Sequence, residues 1–576
     1  MKASDLNGPA SHGGRFALLV VLLGVASCRP QSAEISRSPA VTQEETCSLP
    51  SCFREVASPL LEQARYHNGR DAGLLSILEI VGGGVACFDF DQDGWCDLLF
   101  PTGGSLSRSD SRVTGKPTVL MRGGPAWQWT PLPAGTRLGN DQIYTHGAIT
   151  ADYDHDGFED LLVTGYPGVR LYRNQGDGSF RDVTQSTGLR EAGWTTSGAW
   201  GDWNQDGHLD LYLASYVDWS FANNPVCPTT EGVPDVCSPN AFEGMEDAVF
   251  FNRANGRFDP AAALPVAPQT SKGLGVLACD LCQQGRLDVV VANDLQPNYL
   301  WHYEDGDFQE NALAAGIAVD RFGNPNASMG LATLDWNLDQ RFDLAVTNFE
   351  NEQIALYQND GNRLFRHVSQ SAGLGRPAEA VNFGVVARDF DGDGDEDLLV
   401  AAGHVQYDPD SGTIEQRLSL YENCDGRRFR RCRQKNTEDA GFWRQPRIGR
   451  GVAAADLDRD GDSDVVVTHL EQPPLVLENQ RLPQTSWLRL RLVGRESPRT
   501  PIGATAWLRV AERQMIRQVY GGGSYLSQSE NILSWGWPEQ AAADLTVHWP
   551  SGAVSQLRGL SPNQEVTLVE PRPQRD

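Results

Sequence analysis

Seven stretches of this chain repeat one arrangement of oxygen-bearing side chains. They begin at Asp89, Asp152, Asp202, Asp280, Asp335, Asp389 and Asp456. The shared spacing, D-x-D-x-D-G-x-x-D, puts side-chain oxygens at positions 1, 3, 5 and 9 and leaves the carbonyl of position 7 as a further donor. Ca2+ takes about six to eight oxygens at about 2.3–2.6 Å, so such a loop plus water nearly completes its shell. Glycine at position 6 permits the positive φ that folds the loop round an ion. Two carboxylates about 4 Å apart repel by about 4 kcal/mol at an effective dielectric near 20. Three or four of them without a cation would strain every loop.

The ligand sets differ. Asp89, Asp91, Asp93 and Asp97 form a full set. So do Asp152, Asp154, Asp156 and Asp160, then Asp389, Asp391, Asp393 and Asp397, and Asp456, Asp458, Asp460 and Asp464. The third loop has Asp202, Asn204, Asp206 and Asp210, with an amide oxygen at position 3. The fifth has Asp335, Asn337, Asp339 and Asp343 but carries Gln340 where the others have glycine, so a weaker site is expected. The fourth places Cys282 and Gln284 at ligand positions between Asp280 and Asp288, and is expected to hold no calcium. A Cys279–Cys282 disulfide is expected to constrain that turn instead. The ligand order resembles an EF-hand loop, but the flanks are not helical and the last ligand is Asp at position 9.

Those flanks position the loops. A small-and-apolar run opened by glycine precedes each, such as Gly147–Ala151, and a β-branched or leucine-rich run follows, such as Leu161–Val163 or Val465–Val467. Short apolar runs between turn signals read as buried strands, so each loop joins two strands of a hairpin. An Asn-and-Gly turn leading to Phe recurs downstream (Asn174 to Phe180, Asn359 to Phe365, Asn423 to Phe429) and adds a second hairpin. Four strands per repeat is the pattern of propeller blades. The expected fold is therefore all-β: a seven-bladed β-propeller over 61–482, followed by a small β-sandwich-like domain over 483–571. An insertion from Asp218 to Glu246 interrupts the repeats.

The formal net charge is −27, which argues against nucleic-acid binding. Phe16 to Val25 is an apolar run too short to span a membrane and reads as an export signal over 1–28. Val25-Ala26-Ser27-Cys28 resembles a bacterial lipobox, which implies lipidation at Cys28. Residues 29–60 read as a flexible tether. Ten of the eleven cysteines fall into near neighbours, and in an oxidising compartment disulfides are the default. Proximity suggests Cys47–Cys52, Cys87–Cys96, Cys227–Cys237, Cys279–Cys282 and Cys424–Cys432.

Several stretches are similar to the cartilage acidic protein family, which joins an FG-GAP/VCBS-type propeller to an ASPIC/UnbV domain. They include Glu79–Val85, Ala292–Leu300, Ala327–Gly330, Thr347–Phe349, Pro501–Ala504, Ser524–Gln528 and Val547–Gly552. The resemblance implies an integrin-α-like propeller with calcium in the loops named above, and an adhesion or matrix type of binding. The turn at Ser497-Pro498-Arg499 departs from the family's Ser-Asn-Arg.

Two functional readings follow. The first is an exported, surface-anchored scaffold or adhesion protein with calcium as structural cement, binding a protein or glycan at the cell envelope or matrix. It would be lipid-anchored in the bacterial envelope, at the outer membrane, or secreted. The second is a cofactor-dependent or carbohydrate-active enzyme with its site in the propeller channel. No Gly-x-Ser-x-Gly, His-Glu-x-x-His or Cys-x-x-Cys-His motif supports the second. His146, His404 and His469 at strand ends, and Trp194, Trp200, Trp203 and Trp219 as a sugar platform, are its remaining candidates.

Overall fold

The computed structural model describes residues 52–572, less 133–137, 139–141, 190–192, 262–263, 265–270, 376–378, 411, 433–440, 481–484 and 539. The signal, Cys28, Cys47 and most of the expected tether lie outside the described residues.

Each Asp loop does join two antiparallel strands. Thr195–Gly201 pairs with Asp210–Ser215 across the Asp202 loop; Asp210–Ser215 pairs in turn with Ala248–Asn252, and that strand with Phe258–Pro260. Six further antiparallel sheets follow the same order, one of them with Gly521–Gly522 added as a fifth strand, and all seven carry one loop between their first and second strands. Those first two strands are buried along almost their whole length, as continuous apolar runs require. The fourth strand of the last sheet is Phe53–Glu55, which pairs with Gln472–Asn479. These three residues therefore belong to the sheet, a correction to the tether boundary at 60.

The sheets stand side by side in chain order through their first strands, and the last meets the first. Threonine hydroxyls tie neighbours together: Thr164 donates to Thr196 O at 2.5 Å and Thr196 to Gly273 O at 2.6 Å. Gly451 N–H donates to Gly83 O at 3.1 Å, linking the seventh sheet to the start of the first. A second bracket runs from the third strands. Asn174, Asn252, Asn359, Asn423 and Asn479 each donate a side-chain N–H to a loop carbonyl of the preceding sheet, at 2.8–2.9 Å.

Beyond residue 485 two more sheets form. In one, Ser486–Val493 lies between Ile532–Trp537 and Gln564–Val569; in the other, Thr505–Val510 lies between Arg513–Gln518 and Ala543–His548. The departing turn is fixed by Glu570, whose carboxylate accepts N–H bonds from Arg495, Glu496 and Ser497. This domain is not a detached module, because Tyr520–Glu530 runs into the space that the seven first strands surround. Gly521–Gly522 pairs with Leu277 and Ala278. Ser524 exchanges backbone bonds with Leu331, while Gln528 N–H donates to Val85 O and Cys87 N–H to Gln528 O. Ala148 N–H donates to Leu526 O, Val385 N–H to Ser524 Oγ and Ala454 N–H to Ser529 Oγ. The glycine-rich approaches explain themselves here: a Cβ on Gly84 would lie 2.0 Å from Leu526 O, and one on Gly521 2.1 Å from Trp200 O.

Among the described residues one disulfide has both halves visible, Cys227–Cys237. Cys87 and Cys96 are adjacent buried thiols. Cys424 is a free thiol although Cys432 is disulfide-bonded, so the neighbour pairing expected there does not form.

Candidate metal centres

The loops share one backbone design. Position 4 takes positive φ in every loop (Gln92 59°, His155 62°, Gln205 58°, Gln283 55°, Leu338 59°, Gly392 75°, Arg459 66°), and so does position 6. Gln340 adopts 66° where the other loops have glycine, and so keeps the turn at a backbone cost. In all seven the N–H of position 6 donates to the carboxylate of position 1, at 2.6–3.1 Å.

The position-9 aspartate is a clamp. Asp464 accepts Leu457 N–H and Asn479 N–H, both at 2.8 Å, and Asp160 accepts Tyr153 N–H at 3.2 Å and Asn174 N–H at 2.8 Å. Asp97, Asp210, Asp343 and Asp397 repeat the pattern. A carboxylate oxygen has two lone pairs, so this bonding leaves room for a metal bond.

Four groups of carboxylates bring one oxygen each within 4.8 Å of one another: Asp89/Asp91/Asp97, Asp152/Asp154/Asp160, Asp389/Asp391/Asp393 and Asp456/Asp458/Asp460. They are the four loops whose sequences carry the full set. Buried oxygens Asp89 Oδ1, Asp91 Oδ1 and Asp154 Oδ1 have no hydrogen-bond partner among the described residues. Burial pushes Asp97 up to about 8 and Asp152 and Asp456 up to about 7. A nearby positive charge would bring such acids back toward their ordinary, ionised state. The all-oxygen donor set therefore fits a hard divalent cation. Asn204 and Asn337 sit beside Asp206 and Asp339 at 3.0 and 2.8 Å, each loop offering fewer carboxylates.

One candidate was missed in the sequence. Asp395, at position 7 of its loop, is 1% exposed and lies with Asp389, Asp391 and Asp393; burial, then Asp393, pushes it up to about 9. An aspartate at position 7 in only the last two loops was the available signal.

The fourth loop keeps the fold by other means. Cys279 and Cys282 are free thiols, so the expected disulfide does not form. Asp280 accepts the N–H groups of Gln284 and Gly285 at 3.1 and 2.6 Å, and Gln518 brackets its backbone at 2.8 and 3.3 Å. Tyr303, paired with Phe308, takes the register position of the bracketing asparagine in the third strand, and Arg363 of the next sheet pairs with Asp288 at 2.8 Å.

The C-terminal domain covers the loop face. Arg489, 4% exposed, contacts Asp456 at 2.7 Å, Glu530 at 2.9 Å and Glu565 at 3.1 Å. Gly536 N–H donates to Asp389 Oδ2 at 3.0 Å, and Arg491 lies 3.8 Å from Asp89. The other rival candidates are core. Trp194 and Trp200 are fully buried and Trp203 and Trp219 nearly so, so none of these four offers a face to a sugar. His146 stacks on Trp194 and meets the Tyr66 hydroxyl at 3.2 Å, while His469 meets Pro473 O at 3.1 Å. Residues 521–529 of the C-terminal domain bond to first strands of several sheets, on the side of those strands where a channel site would lie.

Two stretches, 152–213 and 335–400, match the FG-GAP-like repeat, and 494–575 match ASPIC and UnbV. The chain is similar to human cartilage acidic protein 1, 24% identical over 518 residues and 75% of each chain. The mouse protein is 24% identical over 485 residues, 72% of this chain and 71% of its own. Among solved structures, a lectin from Agrocybe aegerita that recognises non-reducing terminal N-acetylglucosamine overlays with a TM-score of 0.38. It is 16% identical and covers 63% of this chain and 83% of its own. YCF48 bound to a D1 peptide gives 0.37 at 10% identity, covering 69% and 93%. At that similarity neither overlay speaks to a ligand.

Proposed function

We propose that the chain is a closed seven-bladed β-propeller, cemented by calcium and locked by its own C-terminal domain, that acts as a non-catalytic extracellular binding scaffold. The observation that carries this reading is the four carboxylate groups with oxygens within 4.8 Å, each set in a strand-flanked loop of the same design. Calcium would sit among Asp89, Asp91 and Asp97, among Asp152, Asp154 and Asp160, among Asp389, Asp391 and Asp393, and among Asp456, Asp458 and Asp460. It would supply the positive charge that keeps these buried acids ionised, and with it the tension that draws each hairpin tight. The loops at Asp202 and Asp335 are weaker candidates, and the loop at Asp280 is expected to take none.

The bonds of residues 521–529 to the first strands support a structural role over a channel enzyme. The Cys227–Cys237 disulfide supports an oxidising compartment, and the similarity to proteins named for cartilage supports an extracellular matrix type of setting. Lipid anchoring at Cys28 is part of the proposal and is checked by whether Cys28→Ser releases the protein from the envelope. Native mass spectrometry tests the calcium reading. Four to six bound calcium ions are expected, and Asp280→Ala should leave the number unchanged; no bound calcium would overturn it.

A further inference from the structure

The mouth of the axis away from the Asp loops holds a cavity of about 310 Å³, within the size range of small-molecule sites. It is formed where Ile80–Val81, the starts of three first strands and the ends of three second strands meet. Its walls are largely apolar and include Leu274, Met329, Phe349 and Phe383. Its base continues into the axial segment, where Tyr525 packs edge-on against Phe383 with ring centres 4.8 Å apart. The Asp218–Glu246 insertion supplies Val236 to Pro239 as a rim. That rim is held by the Cys227–Cys237 disulfide and by Asp235, which accepts the N–H groups of Tyr407 and Asp408 at 3.1 and 3.0 Å.

Two carboxylates converge on this apolar space. Asp294 is 8% exposed. Its Oδ2 accepts the Tyr216 hydroxyl at 2.6 Å, and no hydrogen bond among the described residues reaches its Oδ1. Glu352, half-buried, accepts Ala327 N–H at 3.1 Å. Burial raises both acids, Asp294 to about 6 and Glu352 to about 7. The nearby cations are already engaged. Lys272 donates its amine to Pro239 O at 2.9 Å and acts on Asp294 through space, a smaller effect than the burial that raises that acid. Arg450 lies over the ring of Phe383, 4.0 Å from its centre, with its N–H groups on the carbonyls of Ile80, Gly403, His404 and Gly449.

Anionic ligands would be repelled here, and a sugar would find few partners on such walls. An alkyl- or arylammonium ion meets both needs. Its charge offsets a buried carboxylate, and its body and α-carbon pack on aromatic faces. We propose that this cavity binds a small molecule with an apolar body and one ammonium group, the ammonium seated by Asp294 and Glu352 and the body against Met329, Phe349 and Phe383. The proposal stands apart from the calcium reading, since none of these residues lies in an Asp loop.

Isothermal titration of the full chain at constant calcium tests it, with phenethylammonium as probe and its neutral isostere 2-phenylethanol as control. The ammonium should bind about tenfold or more tighter than the alcohol. The Asp294→Asn, Glu352→Gln double variant should lose that preference while keeping the wild-type melting temperature. Equal binding of the two probes, binding of neither at millimolar concentration, or an undiminished preference in the double variant would overturn it. If the double variant does not fold, the comparison of the two probes on the wild-type protein still decides.

Discussion

Asn479 donates its side-chain amide to the carbonyl of Phe390 in the neighbouring sheet at 2.9 Å, while its own backbone N–H is held by Asp464 at 2.8 Å. One residue thus closes a hairpin and fastens it to the sheet before it. Asn479→Ala should leave the Phe390 carbonyl buried without a donor, at a cost of about 1–3 kcal/mol. Denaturant unfolding measures this. A change below about 0.5 kcal/mol, the usual size for surface substitutions, would show that the bracket contributes little.

The axial segment should be protected only while it is inserted. Gly84→Val places side-chain atoms where Leu526 O and Gly147 already sit, with a Cβ 2.0 and 2.8 Å from them. Limited proteolysis should cut the variant between residues 520 and 530 while the wild type resists. A milder form is Gln528→Ala, which removes three hydrogen bonds to Thr150 at 3.0–3.1 Å. It should be cut at an intermediate rate. Equal protection in all three proteins would mean that insertion of the segment does not depend on these contacts.

Arg489 joins the two domains at the Asp456 loop. Arg489→Met leaves Asp456 and Glu530 buried without their cation, a loss of about 3–5 kcal/mol when calcium is removed. Added calcium should recover part of that loss through Asp456. A variant as stable as wild type in chelator would contradict the role assigned to this pair.

Two histidines set an acid limit on stability. Burial pushes His146 and His469 down from 6.5 to about 3. The unfolded chain therefore binds their protons first, and the stability they permit is complete above about pH 6.5 and lost as pH falls from there toward 3. Each contributes a slope of about 1.4 kcal/mol per pH unit in that window. His146→Gln should flatten the fall by about that amount, read from melting curves between pH 4 and 7 against the wild type. An unchanged slope would show that His146 protonates in the folded state.

Much of this was legible in the sequence because the determinants are local. The Asp spacing, the glycine at position 6 and the apolar runs each act within one hairpin, so all seven hairpins could be read directly, along with the four loops that each bring three of their aspartates together. The Asn that opens each downstream turn was visible as well, but its bond to the preceding sheet was not, since that partner lies some 80 residues away (Asn359 to Leu281 is 78). Insertion of Ser524–Gln528 was hidden for the same reason. The segment bonds to Val85 and Cys87, to Ala148 and Thr150, to Leu331 and to Val385, in or beside the first strands of four different sheets, and nothing in its own short sequence names them. The Cys279–Cys282 and Cys424–Cys432 pairings failed because nearness along the chain does not bring sulfurs together. In the first case Gln518 and Arg363 hold the turn instead.

The central claim is that calcium in the Asp loops holds the propeller closed, and the most direct measurement is the melting temperature of the full chain before and after metal removal. A ligand bound only by the folded state adds RT ln(1 + [L]/Kd) at each site, about 2.7 kcal/mol when free calcium is a hundredfold above Kd. Chelation, checked by elemental analysis, should lower the melting temperature by ten degrees or more, and calcium should restore it where magnesium does not. A melting curve that stays in place after the metal is shown to be gone would contradict the account.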